Sequence, residues 1–335
     1  MVEMDRKVTR NDVAKLAGVS TAVVSYVVNG TKGVSEDKRK RVLEAIEQLQ
    51  YTPNAFARNL RTGRSQQIAL VGDTLETQLF RRISEKLYER GFYSSLFYSV
   101  IEDAFIDRLI AMRFDAIYMT SNRFRAEQIN RIARSGIPVV HYRSRSYDAL
   151  DERVASITPD LYDGVKKSVD YLVLRGHRRF AFVPPLKYRT SGINNNDFRT
   201  RAFSEALQAH GLSSEPAYYL SRTGSMDQIL ADVFEILTGS AQDTRPTAFI
   251  VSEDDEAVQI LQYIEKLGLR VPEDVAVMGW GNSLFSKLIS PRLTTVGFDM
   301  EAYTDKVAAA IERLLDGEDV EDERVPVRLI VREST

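Results

Sequence analysis

Between positions 9 and 49 apolar residues recur at the three-to-four spacing of helices, in three short runs separated by capping residues. Thr9 followed three residues later by Asp12 reads as a capping-box start, with Val13, Leu16 and Ala17 at helical spacing before Gly18. Ser20 caps a second helix whose Val23, Val24, Val27 and Val28 form an inward stripe, stopped by Asn29 and Gly30. Ser35 caps a third, with Val42, Ile46 and Leu49 as its buried edge. Pro53 then breaks the pattern and Asn54 caps one more segment, 55–61, which Thr62 and Gly63 end. Two turns of helix are marginal alone in water.

From position 68 the rhythm becomes apolar strand, amphipathic helix, apolar strand. Strands are expected at 68–71, 94–98, 116–119, 138–142, 179–183, 248–251 and 275–279, with a last one at 325–331. Helical stretches include 80–90, 161–175, 198–210, 254–267 and 301–315. Short continuous apolar strands alternating with helices mean parallel sheets covered on both faces, and so many strands point to two doubly wound lobes. The expected class is therefore α/β: an all-α helix-turn-helix head at 1–52, a short helix and linker at 53–65, and two doubly wound parallel-sheet lobes at 66–335.

Composition supports a folded chain and narrows its chemistry. The 335 residues are 44% hydrophobic and 27% charged, ordinary globular usage and enough for more than one domain. There is no cysteine, and His141, His177 and His210 lie far apart, so no metal site or thiol chemistry is expected. The first ten residues lack the apolar core of a signal peptide and no later run is long enough to span a membrane, which predicts a cytoplasmic protein without a membrane partner. The small net charge of −2 hides an asymmetry. Residues 1–65 carry 12 Lys and Arg against 7 Asp and Glu, a net +5, while the remainder carries 33 against 40, a net −7. A compact basic segment on an acidic body suits a polyanion-binding module.

Two helices joined by Ala17, Gly18 and Val19 have the helix-turn-helix layout. With the valines inward, Thr21, Ala22, Ser25 and Tyr26 are expected outward, toward a major groove. Small residues allow close approach, Thr21 can meet a thymine methyl, and Tyr26 offers a hydroxyl and a ring. Thr9, Ser20, Ser25, Asn29, Ser35 and Arg39 are placed as phosphate contacts, which set register without reading sequence.

The run VTRNDVAKLAGVSTAVVSYVVNG, followed by VSEDKRKRVLEAIEQLQYTPNAFARNLRTGRS, resembles the head and hinge of the lactose-repressor (LacI) family. GHRRFAFV at 176–183, GLRVPEDVAVMGWGN at 268–282 and PRLTTVGFD at 291–299 are similar to that family's effector-binding core, itself like periplasmic binding proteins. The resemblance implies a homodimeric transcription regulator that binds a near-palindromic operator in double-stranded DNA and answers to a small-molecule effector. It places Thr21, Ala22 and Tyr26 at base-reading positions. Asn54, Ala57, Arg58 and Leu60 fall on the hinge, where Leu60 matches a leucine that wedges into the minor groove; dimer packing is an alternative role for it.

In the core, Arg199 matches an arginine that contacts sugars or carboxylates, and Asp254 an acceptor for ligand hydroxyls. Phe80, Arg143, Asp163 and Asn196 are further lining candidates. The family usually supplies an Asp where this chain has Gly281, in Gly279-Trp280-Gly281-Asn282. Trp280 stacking on a sugar face and Asn282 replacing lost polarity are the compensations expected. The departure leaves open a ligand unlike the usual sugars, or a core with no ligand. A solute-binding protein without a DNA role is the competing reading. No dinucleotide fingerprint, phosphate loop, zinc motif or nucleophile elbow occurs, so neither an enzyme nor a cofactor is expected.

Overall fold

The computed structural model describes residues 8–28, 33–51, 64–73, 77–185, 197–212, 218–219, 225–239 and 244–335. It divides into two compact units, Met1–Ser65 and Gln66–Thr335.

The first unit contains α1 (Arg10–Ala17), α2 (Thr21–Val28) and α3 (Glu36–Gln48). The Asp12 carboxylate accepts the main-chain N–H of Thr9 at 2.9 Å and its hydroxyl at 2.6 Å, tying down the first turn. Gly18 ends α1 at φ 63°, a left-handed conformation that glycine adopts without strain. Val13, Ala14, Ala17, Val24, Val27, Val42, Ala45 and Tyr51 form the core. Leu16, expected inside, is exposed, because α1 buries 13, 14 and 17 and turns 16 outward. Ser35 takes the N-cap conformation of α3, but its hydroxyl accepts no capping bond.

The second unit holds two six-stranded sheets. The first has the order β11-β5-β4-β3-β1-β2, from β1 (Gln67–Gly72), β2 (Tyr93–Tyr98), β3 (Ala116–Met119), β4 (Val139–His141), β5 (Val154–Pro159) and β11 (Glu323–Val325). Every pair in it is parallel. The second has the order β12-β10-β9-β8-β6-β7, from β6 (Phe180–Val183), β7 (Tyr218–Tyr219), β8 (Ala248–Val251), β9 (Ala276–Trp280), β10 (Thr294–Phe298) and β12 (Val327–Ile330). Its edge strand β12 runs antiparallel to β10, so this sheet is mixed rather than wholly parallel.

In the first lobe α4 (Thr77–Glu89) and α12 (Met300–Leu315) pack on one face, and α5 (Asp103–Ala111) and α6 (Ala126–Arg134) on the other. In the second, α7 (Leu161–Leu174) and α8 (Phe198–Ala209) cover one face, and α9 (Met226–Phe234) and α10 (Asp254–Lys266) the other, with short α11 (Leu284–Leu288) after β9. The chain crosses between lobes after β5, after β10 and at Pro326 between β11 and β12. At the first two crossings an aspartate caps the next helix: Asp160 accepts from Asp163 N–H and Asp299 from Ala302 N–H, each at 3.0 Å. The crossing residues thereby also fix where α7 and α12 begin.

Candidate operator-reading head and effector cleft

On α2 the expected face is present. Val24 and Val27 are buried, while Thr21, Ala22 and Tyr26 are exposed, Tyr26 by 49%. Thr21 and Ala22 in the first turn of α2, and Tyr26 one turn further on, are thus turned outward, where base edges would lie. Ser25 departs from expectation: it is only 6% exposed, so it does not share the outward face of Thr21, Ala22 and Tyr26. Thr9, Ser20 and Ser35 are exposed and Arg39 is half-buried. The Ser20 hydroxyl accepts the N–H of Val23 at 3.4 Å, so it caps α2 and sits at the helix N-terminus. Asn29, and the hinge positions Asn54, Ala57, Arg58 and Leu60, lie outside the described residues.

In parallel doubly wound sheets, ligands bind beyond the carboxyl ends of the strands, where the strand order reverses. In the first lobe that point lies between β1 and β3, and in the second between β6 and β8. Arg199 stands at the second of these. Its Nε and Nη2 donate to the two carboxylate oxygens of Asp197 at 3.1 Å each, and Nη1 reaches the carbonyl of Ser252 at 3.3 Å, at the end of β8. Burial works against this guanidinium charge, but Asp197, and Glu253 at 4.0 Å, outweigh it and raise the pKa above the ordinary arginine value. Asp254 is buried next to this group. It accepts the Thr295 hydroxyl and the Ser283 N–H, both at 2.6 Å. Burial raises its pKa, opposed first by the Thr295 bond.

The remaining candidates scatter. Trp280 is 6% exposed and fills the notch at Gly164 on α7, where a Cβ would lie 2.3 Å from the indole; it is core, not a stacking wall. Phe80 is also core, set edge-on to Tyr118 at 6.2 Å, because its position on α4 points onto β1 and β3 rather than past their ends. Asn282, at φ 52°, accepts from Arg332 Nη2 at 2.5 Å, which spends its amide oxygen on the last segment of the chain. Asp163 pairs with Lys167 one turn along α7 at 2.5 Å. Arg143 pairs with Asp322 at 2.6 Å and lines a cavity of about 450 Å³ from which Arg199 and Asp254 are absent. Asn196 lies outside the described residues. Gly281 adopts φ 120°, and a Cβ there would come within 3.9 Å of the Asp254 carboxylate, so an Asp would be strained and would face a like charge.

Three residues of this region went unread in the sequence. Asp197 and Glu253 are the N-caps of α8 and α10, a signal carried by an acidic residue just before each helix. Asp73 follows β1 directly; its Oδ1 accepts the hydroxyls of Ser99 and Ser121, while Oδ2 is buried without a partner.

Residues 9–54 match the model of bacterial regulatory proteins of the lacI family, and residues 169–335 that of the periplasmic binding protein-like domain. The HTH-type transcriptional repressor PurR of Glaesserella parasuis serovar 5 (strain SH0165) is 30% identical over 297 residues, 86% of this chain and 84% of the relative. This chain belongs to the lacI family of bacterial regulatory proteins. It is a DNA-binding transcriptional regulator. The Lac repressor dimer bound to operator and the anti-inducer ONPF shares its fold, with a TM-score of 0.82 at 23% identity over 98% of this chain and 99% of that one. A complex of the transcriptional regulator CelR with cellobiose is 28% identical, with a TM-score of 0.66, over 98% of this chain and all of that one. No described helix is long and apolar enough to cross a membrane.

Proposed function

We propose that this lacI family regulator is an operator-binding repressor that grips a near-palindromic site as a homodimer and is released or engaged by a small molecule. The observation that carries the reading is the pairing on α2 of buried Val24 and Val27 with exposed Thr21, Ala22 and Tyr26, in a basic head joined to a two-lobed core. Tyr26 supplies the hydroxyl and ring for base readout, and Ser20 stands at the α2 N-terminus, where main-chain N–H groups suit a phosphate. Leu60 is assigned to the minor-groove wedge. Dimerisation is assigned to the open edge of the first sheet, where β2 exposes Leu96 and Tyr98, and to α11, which exposes Leu284, Phe285 and Leu288.

The effector is placed at the strand ends around Arg199 and Glu253. PurR is named a repressor and CelR was solved with cellobiose, which supports a polar metabolite as the controlling ligand. One observation favours a second reading, a core without ligand: Arg199, Asp254 and Asn282 are each satisfied by side chains of the chain itself. Titrating the full-length dimer against selected operator DNA, with and without sugars and nucleosides, tests both. Site-specific binding that shifts with a metabolite supports the first; site-specific binding that no metabolite moves supports the second; no site-specific binding rejects the operator-binding reading.

A further inference from the structure

A cavity of about 450 Å³ lies at the lobe junction, beside two of the three chain crossings. Its walls come from both lobes: Arg143 and Asp322 from the first, Tyr162, Phe198, Arg201 and Glu205 from the second. Phe198, Arg201 and Glu205 recur at helical spacing on one face of α8, whereas Arg199 is turned about 100° away toward Ser252. Between the two groups runs a main-chain strut: Phe198 N–H donates to the Ser144 carbonyl at 2.9 Å, and Arg145 pairs with Asp197 in an antiparallel bridge. The cavity therefore lies on the other side of that strut from the strand-end group of Arg199, Ser252 and Glu253.

Its chemistry is that of a site for an uncharged ligand. The guanidinium of Arg143 is paired with Asp322 at 2.6 Å and Arg201 with Glu205 at 3.7 Å, and the third arginine of the lining, Arg324, stands exposed at the rim; the three face four carboxylates, Asp160, Glu205, Asp322 and Glu323, so the lining offers an anion no net positive charge. The Tyr162 hydroxyl donates to Glu205, fixing ring and carboxylate together. Planar donor and acceptor edges beside two aromatic walls match the alternation of hydroxyls and C–H faces on a carbohydrate. The volume falls in the range of small-molecule sites, roughly 300–1,000 Å³.

We infer that this cavity is a second small-molecule site, separate from the strand-end effector site, that takes an uncharged polyhydroxylated ligand of mono- to disaccharide size. Because its walls span the lobes, an occupant favours whichever lobe arrangement closes on it, and so biases the regulator independently of the effector site.

The absence of cysteine gives a clean test. Arg324→Cys places one thiol at the exposed rim of the cavity, and the rate of its alkylation is measured in the full-length protein with millimolar D-glucose, D-xylose or cellobiose, and with glucose 6-phosphate as the charged probe. The inference expects at least one neutral sugar to slow alkylation several-fold and saturably. Adding Glu205→Ala should abolish that protection, and adding Glu253→Gln, at the strand-end site, should leave it. Three outcomes overturn it: no neutral sugar protects, only glucose 6-phosphate protects, or Glu253→Gln removes the protection while Glu205→Ala does not. None of these readouts depends on DNA, so failure here is distinguishable from failure of the operator-binding reading.

Discussion

Asp197 holds the guanidinium of Arg199 through two 3.1 Å bonds while its own main chain bridges to Arg145 in the opposite lobe. The residue that neutralises this buried cation of the second lobe thus also touches the first. Asp197→Ala should leave an uncompensated buried charge and lower stability by about 3–5 kcal/mol, more than an exposed pair can contribute. Urea denaturation of the full chain measures this. A loss no larger than that of the exposed pair variant Arg270→Ala would mean that Arg199 finds other partners.

Tyr26 is the largest exposed side chain on α2. Tyr26→Ala should change base preference at one position of each half-site, with a loss of about 1–3 kcal/mol for the preferred base. Selection from a randomised site, followed by anisotropy titration, reads both. An unchanged selected sequence with uniformly weaker binding would make Tyr26 a phosphate contact.

His141 is wholly buried, and its Nε2 lies 3.2 Å from the Ser121 carbonyl, so the proton sits on Nε2 while Nδ1 has no partner. Burial, aided by Arg143 and Arg145, depresses its pKa to about 3 from the ordinary 6.5. Between those values the unfolded chain binds a proton that the folded chain refuses, so stability falls as pH drops below 6.5. The contribution at pH 5 is about 2 kcal/mol less than at pH 7.5. His141→Gln should flatten the acid limb of a Tm-against-pH curve, and an unaltered limb would assign the acid sensitivity elsewhere.

Gly281 sits at φ 120° with the Asp254 carboxylate 3.9 Å from where its Cβ would be. Gly281→Asp, the residue that the family resemblance implies at this position, should destabilise the core by about 1–3 kcal/mol. Calorimetry of the variant checks it. A more stable variant that also gains sugar binding would show that the turn relaxes to accept the side chain.

Element types were readable wherever apolar runs were long and bounded by turn residues, as at 68–71 and 248–251, and the head was readable because its valines and caps follow helical spacing. Lobe membership was not, since α12 and β11 join the first sheet only after the chain has built most of the second. Nor was β5, whose Val154–Pro159 mixes Ser156 and Thr158 with apolar residues yet is buried throughout, flanked by parallel strands on both sides. At the site, the family resemblance pointed to Arg199 and Asp254, but not to their partners. The pairing of Arg199 with Asp197, two residues away, depends on an N-cap turn. That of Asp254 with Thr295 depends on strand register. Trp280 and Phe80 looked like ligand platforms because an aromatic residue near a strand or helix end is ambiguous until the packing opposite it is known. Here Gly164 and Tyr118 receive them.

The central claim is that the basic head binds duplex DNA under control of the core. Its most direct test is the affinity of the full-length protein for promoter fragments of its own genome, measured between 50 and 200 mM salt with and without metabolite extract. Phosphate neutralisation by the head predicts tight binding to a particular fragment at low salt and a loss of roughly 10³–10⁵-fold across that range, with a further shift on adding extract. Indifference to every fragment at low salt, in either condition, would contradict it.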